Sequence, residues 1–375
     1  MQNIIAATNR LPLPKDKIQP AIDTKKLKAK VRGMRFWEYY QWWVNNYKKG
    51  YVAEVTLKKY YADAKQLWNI APNMKLIDLE DNRLTLQWLL DQYGKTHRRL
   101  TVLDWKAHIF ASLNSATDDG FISGIAKSQI KVTSVEDNWS IEKRSKERNK
   151  IKTMDMSEYR VFKTRVDIDL DTMLDKKPVF PNASNFLPNT RGGHTASVQS
   201  KMMLISILTH TGCRFAEALG LTANDYNATS ITINKTWDYK TNTGFAKTKN
   251  EASIRKVAVD KTLIDQLNKF AKWKQAYFPD SQSLPLVVEP DCLIFNTTYN
   301  DFFRRLQRKY GVKEKLSIHK MRHTYISYLL NESISAEFIA KQVGHTDTSM
   351  IQRVYGHLMK ERQEADRIKV ESLLK

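Results

Sequence analysis

Four short stretches in the second half of the chain concentrate side chains that bind anions or move protons. In HTGCRFAEALGL, Arg214 follows a glycine suited to ending a helix, Gly212, and Glu217 stands three residues on. AKTKNEASIRKVAV reads as a β-hairpin with Lys247 and Lys249 before its turn. Alternation along a strand puts both lysines on one face. SIHKMRHTYISYLL spaces His319 and Arg322 three apart, on one helix face. VGHTDTSMIQRVYGH carries His345 and then Tyr355, with Arg353 two residues before the tyrosine and His357 two after it.

Each stretch has an ordinary reading. An arginine beside a glutamate is usually a surface ion pair worth less than about 1 kcal/mol. A lysine before a turn keeps a protein soluble, a His-x-x-Arg match arises by chance, and most tyrosines pack on a helix face. All four in this order arise by chance far less readily. The set resembles the tyrosine recombinase, or phage integrase, family. The family's T-G-x-R-x-x-E box stands as Thr211-Gly212-Cys213-Arg214-Phe215-Ala216-Glu217, and its H-x-x-R box as His319-Lys320-Met321-Arg322. Its G-H box stands as Gly344-His345 and its nucleophile as Tyr355 in RVYGH.

The resemblance implies a role for each residue. Arg214 and Arg322 offer planar donor forks to the non-bridging oxygens of a phosphodiester. His345 donates a further hydrogen bond, and such preorganised donors usually supply the largest share of catalysis. Tyr355 becomes a covalent phosphotyrosine, which stores the bond energy for rejoining. His319 is the general base or an orienter of the site. A lysine of the K-T-K run protonates the leaving 5′-oxygen; the family pattern favours Lys247, with Lys249 the alternative. Glu217 orients Arg214. No cofactor and no metal are implied. A zinc set drawn from His319, His323, His345 and His357 would face repulsion from the neighbouring arginines.

These residues need elements to hold them. The chain has 375 residues, enough for two or three domains, and its 42% hydrophobic content can fill ordinary cores. Residues 1–33 form a basic arm, with a short helix near its end. Residues 34–124 read as a compact helical domain of four or five helices. Phe36, Tyr40, Trp43 and Tyr47 make its aromatic core stripe, and Thr56 caps the helix that follows. Residues 125–155 are polar and aperiodic and read as an interdomain linker. Residues 156–375 form the catalytic domain, in which helices surround a strand-rich patch, SITINKTWDY and SIRKVAVD. The expected fold is mainly α with a small antiparallel β-sheet. By resemblance it is a SAM-like helical core-binding domain, as in integrases of Gram-positive phages and conjugative elements, followed by an α+β catalytic domain. Members of the lambda type begin with a small domain for arm-type DNA sites, whose three-stranded pattern is not legible in residues 1–33. The last stretch, KERQEADRIKVESLLK, reads as a helix carrying Ile368, Leu373 and Leu374. It docks either on a neighbouring protomer or on its own domain.

Sixty-one basic against forty acidic residues give a net charge of +21, which suggests a polyanionic partner. Two cysteines, Cys213 and Cys292, make no disulfide framework and fit a reducing cytosol, with Cys213 a small buried residue. No apolar run is long enough for a transmembrane helix, and the N-terminus lacks the apolar region of a signal peptide. The expected partner is therefore nucleic acid rather than a membrane, in the cytoplasm and at the nucleoid of a host cell. Lys58, Lys59, Lys95, Arg98 and Arg99 could face phosphates or merely water. The resemblance further implies double-stranded attachment sites, a homotetramer on synapsed DNA, an excision factor and a host DNA-bending protein. Two neighbouring readings are a housekeeping recombinase that resolves chromosome dimers and a catalytically inactive DNA-binding relative. Type IB topoisomerases share the chemistry without strand exchange.

Overall fold

The computed structural model describes residues 24–148, 153–180, 195–248, 251–313, 315–349, 351, 370 and 372. Tyr355, Lys249, most of the basic arm, and Ile368, Leu373 and Leu374 of the C-terminal stretch lie outside the described residues. The chain divides into two compact units, residues 1–150 and 151–375.

The first unit is helical: α1 (Thr24–Arg32), α2 (Phe36–Trp43), α3 (Glu54–Ile70), α4 (Arg83–Gly94), α5 (Arg99–Asp118) and α6 (Ile141–Arg148). The apolar character of α2 extends well beyond one stripe. Phe36, Trp37, Tyr39, Tyr40, Trp42 and Trp43 are all buried, so α2 is the centre of this core. Two of its polar ring atoms reach partners on α5, as buried aromatics with polar tips usually do. The Tyr39 hydroxyl donates to the Ser112 carbonyl at 3.0 Å, and Trp43 Nε1 donates to Ser115 Oγ at 2.9 Å. Thr56 does not cap α3. The helix starts at Glu54 after Ala53, and Thr56 lies in its first turn, where an acidic Glu54 complements the helix dipole.

Residues 125–148, expected as linker, pack on this unit. Ile130 is buried, and Ile125 and Val132 lie against the same core. The extended backbone is satisfied by side chains instead of a sheet. The Lys131 N–H donates to Gln87 Oε1 at 2.8 Å, and Gln87 Nε2 donates back to the Lys131 carbonyl at 3.0 Å. Arg99 Nη1 donates to the Val132 carbonyl at 2.9 Å. A Cβ on Gly94 would come within 2.4 Å of the Thr133 carbonyl oxygen, so glycine permits this close approach. Three scattered apolar residues give no periodic signal, which is why the docking is invisible in the sequence.

In the second unit come α7 (Met156–Met173), α8 (Val198–Thr211), α9 (Phe215–Leu219), β1 (Ser230–Ile233), β2 (Thr236–Trp237), β3 (Phe245–Ala246) and β4 (Arg255–Ala258). After them follow α10 (Lys261–Tyr277), α11 (Asn296–Lys309), α12 (Lys320–Asn331) and α13 (Ala336–Val343). Every residue of α8 except Val198 is buried, and α7, α10, α11 and α12 pack around it. β1 pairs antiparallel with β4, with Ile231 opposite Val257, and β2 pairs antiparallel with β3. The stretch AKTKNEASIRKVAV is therefore not one hairpin. β3 turns back on β2, and β4 skips past it to β1. Ile231, Ile233 and Val257 are buried while Phe245 and Ala246 are exposed, and the buried face fixes the register. Among the described residues no helix is long and apolar enough to cross a membrane.

Ile130→Ala should lower the stability of the first unit by about 2 kcal/mol, the low end for a truncated buried isoleucine. Urea unfolding followed by tryptophan fluorescence measures this; a passive linker would show no change.

Candidate active site

The site begins where α8 ends. Gly212 adopts a left-handed conformation, φ 58°, and its N–H donates to the Leu208 carbonyl. A Cβ here would lie 2.3 Å from a ring carbon of Tyr325, so both backbone and packing demand glycine. Two residues later Arg214, in extended conformation, precedes the first turn of α9. Its backbone N–H donates to Glu217 Oε2 at 2.9 Å and its Nη1 to Glu217 Oε1 at 2.7 Å. Its Nη2 donates to the Gly344 carbonyl at 3.2 Å. Glu217 thus holds Arg214 from a position that is 1% exposed.

Glu217 has a second partner that the sequence reading missed. Arg255, on β4, donates from Nη2 to Glu217 Oε2 at 3.0 Å. Burial alone would raise the Glu217 pKa. The charge and hydrogen bond of Arg255, with the backbone and charge of Arg214, outweigh it and hold the carboxyl below its ordinary value. One signal in the sequence could have found Arg255: alternation puts it on the same strand face as the buried Val257.

Arg322 is the third residue of α12 and is 5% exposed. Its Nη1 donates to the Gly212 carbonyl at 3.1 Å, while its Nη2 is buried with no hydrogen-bond partner among the described residues. Burial, then the charge of Arg214, pushes its pKa down to about 9, which leaves it charged at neutral pH. His319 stands at the N-cap of α12, and burial followed by the charges of Arg322, Lys320 and Arg214 lowers its pKa. Gly344 ends α13 with φ 73°, and the His345 N–H donates to the Ala340 carbonyl at 2.9 Å. His345 Nδ1 is buried without a partner among the described residues. Burial, then Arg322, Arg214 and Arg255, pushes its pKa down to about 4. Arg214, Glu217, Arg322 and His345 therefore converge through Gly212 and Gly344. The result is a cationic site with two unused nitrogens, the complement of a tetrahedral oxyanion.

Lys247 is exposed and lies just past β3. In the first unit Lys58 and Lys59 are exposed on α3, and Lys95 Nζ donates to Gln92 at 2.7 Å. Arg98 pairs with Glu147 at 3.0 Å and lies over the Trp139 ring. Arg98 and Arg99 thus fasten residues 132–147 to the helices. Among the described residues no three His, Cys, Asp or Glu side chains gather as a metal would need.

Residues 182–362 match the model of the phage integrase family. This stretch, just under half of the chain, resembles that family. It includes all four of the cationic and proton-transferring boxes. The chain is 28% identical over 183 residues to an integrase of Staphylococcus phage L54a, covering 44% of this chain and 49% of that protein. It is 29% identical over 177 residues to the ICEBs1 integrase of Bacillus subtilis (strain 168), covering 44% and 46%. The chain spans about half the length of these curated relatives. Its fold is similar to that of the Tn1549 transposon integrase solved with transposon right end DNA. The TM-score is 0.63 at 18% identity, over 90% of this chain and 100% of that one. The fold is thus mainly α with small antiparallel ladders, as expected.

The folded pKa of His345, about 4, lies below the ordinary imidazole value near 6.5. Between these values the unfolded chain binds the proton more tightly. Stability from the neutral ring is whole above about pH 6.5 and is lost as pH falls towards 4. His345→Gln, which cannot charge, should flatten the stability–pH curve in this window. Urea unfolding at several pH values measures it, and a curve parallel to wild type would rule out a depressed His345.

Proposed function

We propose that this protein is a site-specific DNA recombinase that cleaves and rejoins DNA through a 3′-phosphotyrosine at Tyr355. The observation that carries the reading is the pair of buried, unused nitrogens, Arg322 Nη2 and His345 Nδ1, beside the Arg214 fork. A phosphodiester supplies the acceptors and the negative charge that this cluster lacks. The family match over residues 182–362 supports the same chemistry.

In the proposed reaction the Tyr355 oxygen attacks phosphorus while the bond to the 5′-oxygen breaks. Charge gathering on the non-bridging oxygens is met by Arg214, Arg322 and His345. His319, whose pKa is lowered by burial and then by the neighbouring cations, takes the phenolic proton or orients the groups that do. Lys247 gives a proton to the departing 5′-oxygen, with Lys249 the alternative. Attack by a 5′-hydroxyl on the phosphotyrosine reverses each step and needs no nucleotide cofactor.

Similarity to integrases of a staphylococcal phage and of ICEBs1 favours integration and excision of a phage or mobile element over dimer resolution. Double-stranded attachment sites are the substrate in this reading. A synaptic homotetramer, an excision factor and a DNA-bending protein are its partners, at the host nucleoid. In this reading the basic residues of the first unit, the exposed Lys58 and Lys59 first, meet phosphate and set register rather than read bases.

Wild-type protein incubated with nicked genomic duplex fragments should yield covalent protein–DNA adducts whose sequencing reveals the cleaved site. Tyr355→Phe should bind the recovered duplex and form none; an adduct with Phe would move the nucleophile elsewhere. On the same duplex Lys247→Ala should cleave slowly. It should recover when a 5′-bridging sulfur makes the leaving group independent of an acid, while Arg214→Ala should not. Rescue of Lys249→Ala instead would reassign the acid.

A further inference from the structure

Arg255 lies in the second of the four stretches, past Lys247 and Lys249, and more of the site hangs on it than on either of them. Each of its three guanidinium nitrogens is engaged. Nε donates to the Gln342 carbonyl at 2.9 Å, Nη1 to the Ser253 carbonyl at 2.8 Å, and Nη2 to Glu217 Oε2 at 3.0 Å. Its side chain is 6% exposed, against 29% for that of Arg214. A group so enclosed is not available to a phosphate.

Its three partners belong to different pieces of the site. Glu217 holds Arg214. Gln342 is the penultimate residue of α13, directly ahead of the Val343–Gly344–His345 turn. Ser253 precedes β4 and its hydroxyl lies 3.4 Å from Arg214 Nη1. Gly344 runs so close that a Cβ there would stand 2.9 Å from Arg255 Nη1. The Gln342 amide in turn grips both backbone groups of Ala258 on β4 and donates to the Tyr325 hydroxyl at 3.2 Å. Tyr325 is the ring against Gly212, so the contacts close a circuit around the catalytic groups.

We propose that Arg255 is a positioning residue, which fixes Arg214 through Glu217 and the His345 turn through the Gln342 carbonyl without touching DNA. The fork geometry matters as much as the charge. A lysine keeps the attraction to Glu217 but cannot aim three nitrogens at three carriers. Arg255→Lys therefore separates holding the fold from holding the site.

Two measurements on the full chain test this. The first is hydrogen–deuterium exchange of the free protein. Arg255→Lys should retain the protection of α8 but lose protection at the Gly344 and His345 amides. Glu217→Gln, a near-isosteric change that removes the ion-pair charge, should loosen the same two amides even if the lysine variant does not fold. The second rests on the recombinase reading and uses the duplex recovered from wild-type adducts. Arg255→Lys should bind it as wild type does, yet cleave it up to about 100-fold more slowly in single turnover. Combined with Glu217→Gln, the losses should be less than additive. Unchanged amide protection in both variants would overturn the proposal. So would wild-type cleavage by Arg255→Lys, or a rate loss matched by lost affinity. If wild type forms no adduct, the recombinase reading fails, and the exchange measurement still decides the role of Arg255.

Discussion

The site depends on one buried carboxylate. Glu217 has almost no exposure, and an ionised carboxylate away from water is costly unless paired and hydrogen-bonded. Here it accepts from the Arg214 N–H and from two guanidinium groups, that of Arg214 in its own turn and that of Arg255 on β4. Its charge is the fixed point from which both arginines are aimed. Removing either partner would leave charge in a dry place, so the pairing constrains geometry more than it adds net stability.

Around that point the chain must pass close to itself twice, and both passages use glycine. Gly212 turns α8 out against the Tyr325 ring, and Gly344 turns α13 out against Arg255. Each has a left-handed φ that most side chains disfavour. The two turns also lend their carbonyls as acceptors: Gly212 to Arg322 and Gly344 to Arg214. A glycine in each box is thus a demand of packing as well as of backbone conformation.

The remaining cations are left in mutual repulsion. Arg214 lowers the pKa of Arg322, and both, with Arg255, lower that of His345. Burial is the larger cause in each case, and repulsion adds to it. An anion placed among them relieves the repulsion and satisfies the buried nitrogens at once. That is why the geometry reads as an anion site rather than as a structural ion-pair network, whose donors would already be used.

The motifs that carry Arg214, Glu217, His319, Arg322 and His345 were legible in the sequence, because short motifs carry local information. The helical character of both units was legible for the same reason, through apolar periodicity and caps. Arg255 was passed over, since its one signal, a place on the strand face of Val257, does not say what that face meets. The docking of residues 125–148 was hidden because isolated apolar residues have no period. The pairing of β4 with β1, past β3, follows from which strand faces must be buried together. By itself the sequence determined which short motifs carry Arg214, Glu217, Arg322 and His345. That Glu217 also holds Arg255, that Arg214 reaches Gly344, and which nitrogens stay unpaired, only the tertiary structure decided, because those contacts join residues from 38 to 130 positions apart.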